Sequence, residues 1–267
     1  MKTVNSLRRG LEVLLAIDSS SAATLTKLHR QTGIPKASLQ RILKTLRDAG
    51  WIEGNEPESR YVRAAAPGAL APQVLWRAQV SSVAAPMRAG MQRRVSWPLD
   101  IAVRDGTSML ILDAHRPSNG LAVNYRVLGF RPHMLVSSLG RCYLAHCPEV
   151  ERQTLLAALA RSKRPFDQLA KEPAQIRRLV AEARDRGYAT RQPAVSGADS
   201  PERFGALAVP IFSGDNLVAC LSCSWLPGVT NESAIARAHL ASLRMTAAAI
   251  GRRLHSAGLG LPPELNG

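Results

Sequence analysis

The sequence predicts an α+β fold with a winged helix-turn-helix at its N-terminal end, and three observations carry that prediction. The first 63 residues read as helix, helix, tight glycine turn, helix and hairpin, the element order of a winged helix-turn-helix. An uncharged alanine- and proline-rich stretch at 64–72 then marks a boundary. Beyond it hairpins alternate with helices, which favours an α+β domain over a parallel sheet.

The 267 residues suit roughly two domains at about 150 residues each. Hydrophobic residues make up 46% and charged residues 21%, a globular composition rather than a disordered one. No apolar run approaches the ~18 residues of a membrane span. The first residues lead into a charged segment without an apolar signal core, and four cysteines make no disulfide scaffold. A cytoplasmic protein with no membrane partner is expected.

Lys and Arg number 35 against 20 Asp and Glu, a net charge of +15. Neutralising phosphates releases condensed counterions, so such an excess suits a polyanion. The excess is spread along the chain, however, with 11 basic against 6 acidic residues in 1–63. Charge alone admits a nucleic-acid partner without selecting one.

The first helix reads from Ser6 to about Ile17, with Leu7, Leu11, Leu14 and Leu15 forming one apolar stripe at helical period. Thr24 is placed to N-cap a second, short helix that carries Leu25 and Leu28 and stops at Gly33. Pro35 opens the third helix near its first position, where a missing N–H costs nothing. Leu39, Ile42, Leu43 and Leu46 give that helix an inward face, and it ends near Gly50. Trp51–Glu53 and Arg60–Val62 read as the two strands of a wing.

A long helix follows at 73–94, with Pro86 expected to kink or split it. Residues 101–103 and 109–112 form a hairpin, and 121–127 a further strand. Helices are expected at 138–145, at 149–160 and around Ile176–Ala183, the last stopping at Gly187. A second hairpin joins 206–212 to 217–225 through Gly214-Asp215. A final helix over 232–254 carries a stripe from Ala236 to Leu254.

With its apolar residues turned inward, the third helix presents Ala37, Arg41 and Lys44, flanked by Ser38, Gln40 and Thr45. Arginine can fork onto guanine and glutamine onto adenine, so Arg41 and Gln40 are the candidates for base readout. Lys44 and Ser38 suit phosphates, as do Lys36 and Thr24 beside helix N-termini. Arg60 and Arg63 on the wing would reach the neighbouring backbone or minor groove.

The segment Thr32-Gly33-Ile34-Pro35-Lys36-Ala37-Ser38-Leu39-Gln40-Arg41-Ile42-Leu43-Lys44-Thr45-Leu46 resembles the recognition region of the IclR family of bacterial transcription regulators. So does the opening Val4–Leu14. The resemblance continues through Ser137–Cys142, Arg186-Gly187-Tyr188, Leu207–Ile211 and Leu221-Ser222-Cys223-Ser224, and covers nearly the whole chain. Trp97–Asp100 and Ala145–Glu149 look closest to members controlling phenylpropionate and related aromatic-acid catabolism. His29 departs from the small residue usual in the second helix, which is expected to loosen packing.

This resemblance implies a DNA-binding domain over 1–63, a connecting segment over 64–94 and a GAF-like effector-binding domain with a mostly antiparallel sheet over 95–267. It also implies a homodimer or homotetramer on double-stranded DNA carrying a palindromic operator. A small organic, often aromatic, acid would alter operator binding or contact with RNA polymerase. Carried over position by position, the effector site falls on Ser138, Leu139, Ala206, Ser222 and Ser224. Ala206 stands where the family often has Cys, which would enlarge the pocket. Trp225-Leu226 replaces the usual Gly-Pro at its edge. His115 and Arg126 are further candidates for meeting an acidic effector, or are surface charges.

Two other function classes compete. A non-specific DNA-coating protein would show no promoter preference, and an enzyme acting on a small acid would turn over substrate. The chain has no Gly-x-Ser-x-Gly elbow, phosphate-binding glycine loop or His-Glu-x-x-His zinc helix, so no catalytic residue, metal ligand or cofactor is assigned. Cys220 and Cys223 spell Cys-x-x-Cys, but on a strand they point to opposite faces, which favours packing over metal binding. Cys142 and His146 share a helical face without an evident third ligand.

Overall fold

The computed structural model describes residues 5–18, 23–48, 51–54, 61–63, 71–115, 128–192 and 204–262. Two compact units divide the chain, Met1–Leu75 and Trp76–Gly267.

In the first unit, α1 (Asn5–Asp18), α2 (Leu25–Thr32) and α3 (Lys36–Asp48) enclose a small core. Its centre is Val13, Leu28, Ile34, Leu39, Leu43 and Ile52, all buried. Fully burying one such side chain contributes about 1.5–3 kcal/mol, so this cluster is the unit's main driving force. Thr24 caps α2, its hydroxyl accepting from the Lys27 N–H at 3.3 Å. Gly33 ends α2 at φ +68°, a left-handed conformation that costs a Cβ-bearing residue about 1–2 kcal/mol. The wing strands β1 (Ile52–Glu53) and β2 (Val62–Arg63) pair antiparallel, Ile52 opposite Arg63. Tyr61 ties the wing to the segment before α2 by donating its N–H to the Ala23 carbonyl at 2.7 Å.

α1 departs from the sequence expectation. It anchors through Val13 and Ile17, while Leu7, Leu11 and Leu15 face solvent and Leu14 is half-buried. Periodicity identifies an apolar line on a helix but not the side on which the domain lies.

The second unit is built on a five-stranded antiparallel sheet of order β4-β3-β7-β6-β5. Its strands are β3 (Leu99–Asp105), β4 (Ser108–His115), β5 (Ala189–Thr190), β6 (Gly205–Ser213) and β7 (Asn216–Trp225). α4 (Ala71–Gln92), from Trp76 on, and α8 (Glu232–Ser256) bury Val80, Ala84, Leu243, Ile250 and Leu254 against one face of the sheet. α4 runs through Pro86 as one helix rather than two. α5 (Ser138–His146), α6 (Glu149–Ala160) and α7 (Pro173–Arg186) share the core of the opposite face with Ala102, Ala208 and Cys220. A 3-10 helix over Pro165–Lys171 precedes α7. The strand expected at 121–127 and most of the boundary at 64–72 lie outside the described residues.

Two buried arginines hold helices in place. Arg88 on α4 forks onto Asp113 of β4. Arg152, itself buried, donates to the Leu144 and Cys147 carbonyls at 3.1 Å each and so satisfies the end of α5. Among the described residues, no helix is long and apolar enough to cross a membrane.

Candidate nucleic-acid interface and candidate ligand site

The turn between α2 and α3 holds α3 by several bonds. Gly33 donates its N–H to the His29 carbonyl at 2.9 Å. The Thr32 hydroxyl donates to the Leu28 carbonyl at 2.7 Å and accepts from the Ile34 N–H at 3.3 Å. His29 reaches across the turn, its Nδ1 2.7 Å from the Ile34 carbonyl oxygen, which requires Nδ1–H as donor. A residue expected to loosen the packing instead fastens the turn.

On α3, Leu39 and Leu43 are buried and Ile42 and Leu46 half-buried, so the opposite face is turned out. Lys36, Ala37, Gln40, Arg41, Lys44 and Thr45 are exposed, and Ser38 is half-buried. Among the described residues, Lys36, Gln40, Arg41 and Lys44 hold no side-chain hydrogen bond or ion pair. Their donors are open to a partner. Thr45 differs, because its hydroxyl donates to the Arg41 carbonyl at 2.9 Å. Thr24 likewise uses its oxygen lone pairs at the α2 cap. Arg63 closes β2, but its side chain and the whole of Arg60 lie outside the described residues.

In the second unit, β3, β7 and β6 align Asp100, Ser222 and Ala208 side by side, with the pair Ser224 and Ala206 next to them. Strand alternation puts these residues on the face that carries Ala102, Ala208 and Cys220, the face covered by α5. Ser222 is buried and Ser224 half-buried. The Ser222 hydroxyl reaches the Asp100 carbonyl at 3.5 Å.

The start of α5 is held close to this row. Ser137 caps it, accepting from the Gly140 N–H at 2.9 Å and donating to the His133 carbonyl at 2.7 Å. Gly140 is required there, since a Cβ would collide with the Met134 backbone. The two residues that follow β5 bridge the two elements, because Gln192 donates its N–H to the Val136 carbonyl and Arg191 to the Ala206 carbonyl, each at 3.0 Å. Ser138 and Leu139, both buried, leave their backbone N–H groups without a partner among the described residues. Two orphan donors at a helix N-terminus suit an anion.

Two residues of this region were not singled out from sequence as site residues. Asp100 is a buried carboxyl at the β3 end of the row, and Arg191 is a half-buried cation whose pKa burial lowers. Their sequence signal is weak, since one acid in a strand and one Arg after a short strand are ordinary. His115 ends β4, but its side chain lies outside the described residues, as does all of Arg126.

The four cysteines are buried. Cys220 faces α5 and Cys223 faces the opposite core. Burial raises both thiols, Cys223 to about 12 with Asp100 adding to the effect. The His146 Nδ1 is 2.9 Å from the Cys142 carbonyl oxygen, one turn back on α5. Among the described residues, no group of three or more His, Cys, Asp or Glu is placed to hold a metal ion.

Comparison with known proteins completes the description. The family model described as the IclR helix-turn-helix domain matches residues 6–56, and that described as the bacterial transcriptional regulator IclR C-terminal domain matches residues 72–252. The chain is 25% identical over 191 residues to the HTH-type transcriptional regulator TsaQ1/TsaQ2 of Comamonas testosteroni, covering 71% of this chain and 68% of that protein. It is 24% identical over 276 residues to the HTH-type transcriptional regulator XynR of Escherichia coli, covering 99% and 98%. Among solved structures, an IclR homologue from Microbacterium hydrocarbonoxydans complexed with 4-hydroxybenzoate superposes with a TM-score of 0.56 at 22% identity, covering 94% of this chain and 99% of that one.

Proposed function

This chain belongs to the IclR family of transcriptional regulators, and on that premise we propose that it reads a specific operator through α3 and answers to a small aromatic acid held against the sheet of its second unit. The observation that carries the first half is the outward face of α3, where Gln40, Arg41 and Lys44 extend with no side-chain partner among the described residues. Arg41 and Gln40 contact base edges. Lys36, Lys44, Ser38 and Thr24, with Arg60 and Arg63 of the wing, position the domain on phosphates, and Ala37 and Thr45 complete the groove-facing surface. In this reading residues 1–63 bind DNA, 64–94 connect, and 95–267 sense the effector in the cytoplasm, without catalysis. The working form is a homodimer or homotetramer on a palindromic operator.

The orphan N–H groups of Ser138 and Leu139 would hold the carboxylate of the effector, and Ser222 and Ser224 its polar substituents. Ala206, opposite Ser224, leaves room for a ring. The 4-hydroxybenzoate complex of the Microbacterium homologue supports an aromatic acid as the class. His115 and Arg126 are proposed to meet the acidic effector. Binding shifts operator occupancy, or contact with RNA polymerase, only as far as the acid distinguishes two states of the protein.

The test is an anisotropy titration on DNA upstream of the protein's own gene, at several salt concentrations, against random competitor and with a panel of aromatic acids. Preferential binding that shifts with one acid is expected. Salt-sensitive binding without preference would overturn operator recognition, and indifference to every acid would overturn the effector class.

A further inference from the structure

β7 pairs β6 from end to end, whereas β5 pairs it only at Leu207 and Ala208. Past that point, among the described residues, no strand covers the outer edge of β6, and a groove of about 720 Å³ takes in Val209, Pro210 and Phe212 there. One wall is α8, which contributes Arg244, Ala248, Arg252 and His255 at helical spacing. His146, the last residue of α5, and Gly187, after α7, form the other side. The groove shares no residue with the row of Asp100, Ser222 and Ser224 or with the start of α5. Two glycines shape it. A Cβ at Gly251 would strike the Phe212 carbonyl, so α8 lies directly on this end of β6, and one at Gly187 would strike the Arg244 guanidinium.

The lining is cationic and contains no acid. Arg252 and His255 hold no side-chain hydrogen bond or ion pair among the described residues. Arg244 donates once, to the Arg186 carbonyl at 2.6 Å, and keeps its other N–H groups. His146 differs from these. Its Nδ1 lies 2.9 Å from the Cys142 carbonyl oxygen and so carries the hydrogen, and burial keeps the ring neutral at pH 7 by lowering its pKa. Nε2 is then an acceptor with no partner among the described residues, and an ionised phosphate or carboxylate has no hydrogen to give it. The same ring stands edge-on to Phe212, centroids 6.3 Å apart, and Phe212 is itself exposed.

These groups together require several negative charges, a flat ring and a hydrogen-bond donor in one molecule. A strand added to the edge fails, because Pro210 has no N–H for a ladder. A single carboxylate leaves most of the cations unanswered. We propose that this groove binds a nucleoside phosphate, with the phosphates on Arg244, Arg252 and His255, the base against Phe212, and a hydroxyl or amino group donating to His146. Arginine forks onto phosphate oxygens, and a base stacks on an aromatic side chain whatever its identity. The volume lies in the ordinary range of small-molecule sites.

Isothermal titration of the full chain, without DNA, with ATP, GTP, CTP and UTP in turn tests it, beside tripolyphosphate and adenosine as separate parts. Expected is saturable binding of at least one nucleotide with Kd below ~1 mM, about tenfold or more tighter than either part alone. Arg252 and His255 are exposed, so replacing both by alanine should leave the melting temperature unchanged. It should weaken nucleotide binding by about tenfold or more, the loss expected of a charge-assisted hydrogen bond. Arg237→Ala, on the same helix outside the groove, should change nothing. Saturating 4-hydroxybenzoate should not displace the nucleotide. Absence of binding by all four nucleotides, equal binding of tripolyphosphate, an unchanged affinity in the double variant, an equal loss in Arg237→Ala, or displacement by the aromatic acid would overturn the proposal. Neither operator binding nor the serine row enters this readout, so failure of the proposed function would leave the result standing.

Discussion

Arg41→Ala separates base readout from general affinity for DNA. The Arg41 side chain is exposed and makes no bond among the described residues, and alanine is the strongest helix former, so the fold should lose nothing. Leu39 and Leu43 continue to hold α3 in place. The whole effect then falls on DNA, where a bidentate contact to guanine is worth about 1–3 kcal/mol. That energy corresponds to a roughly 5- to 160-fold rise in Kd on the operator. Random DNA, where no base is specifically read, should weaken far less. Anisotropy titrations at matched salt, on operator and random duplexes, measure both, and thermal melting confirms the intact fold. Equal weakening on the two duplexes would refute the base contact and return Arg41 to the phosphate group.

Lys44→Ala should instead weaken all sequences alike and reduce the salt slope by about one; an unchanged slope would remove it from the phosphate contacts. Gly140→Ala puts a methyl group into the Met134 backbone, which cannot rotate away, and should destabilise by about 1–3 kcal/mol in urea unfolding. An unshifted midpoint would mean that the start of α5 moves freely. Arg88→Ala leaves the Asp113 carboxylate without its buried partner and should cost about 3–5 kcal/mol. Adding Asp113→Asn should recover part of that loss; no recovery would show that packing, not charge, is what Arg88 supplies. Burial holds His146 below the ordinary 6.5, with Arg184 adding to the effect and the hydrogen bond to the Cys142 carbonyl opposing it. The unfolded chain therefore takes up this proton at higher pH than the native state does. Its stability contribution is full above about pH 6.5 and declines as pH falls below that value. His146→Gln should flatten this decline in melts across pH 7 to 5, leaving the part due to His239, which burial shifts in the same direction.

Most elements of the fold were legible because their signals are local. Gly33 and Gly187 end helices in the left-handed conformation, and turn glycines connect the hairpins at Gly106 and Gly214. The stripe from Leu243 to Leu254 is buried as its period implies. β5, by contrast, is two residues long and exists only through its pairing with Leu207 and Ala208, so no window of sequence marks it. The wing pairs Ile52 with Arg63, one residue beyond the expected strand, while the Tyr61 N–H goes to the Ala23 carbonyl.

Much the same division runs through the candidate site. The amino-acid order alone determined the outward face of α3, because a 3.6-residue period places Arg41 and Lys44 opposite Leu39 and Leu43 whatever surrounds them. It also determined that Ser222 and Ser224 share a side, and Cys220 and Cys223 do not, through the two-residue period of a strand. Only the tertiary structure decided that Asp100 lies in register with Ser222, that residues 191–192 tie the start of α5 to Ala206, and that His29 closes the turn onto Ile34. It alone decided which way the leucines of α1 face. Periodicity states which residues point together; which neighbour or solvent they meet depends on contacts between segments far apart in the chain, and those form only when the whole domain packs.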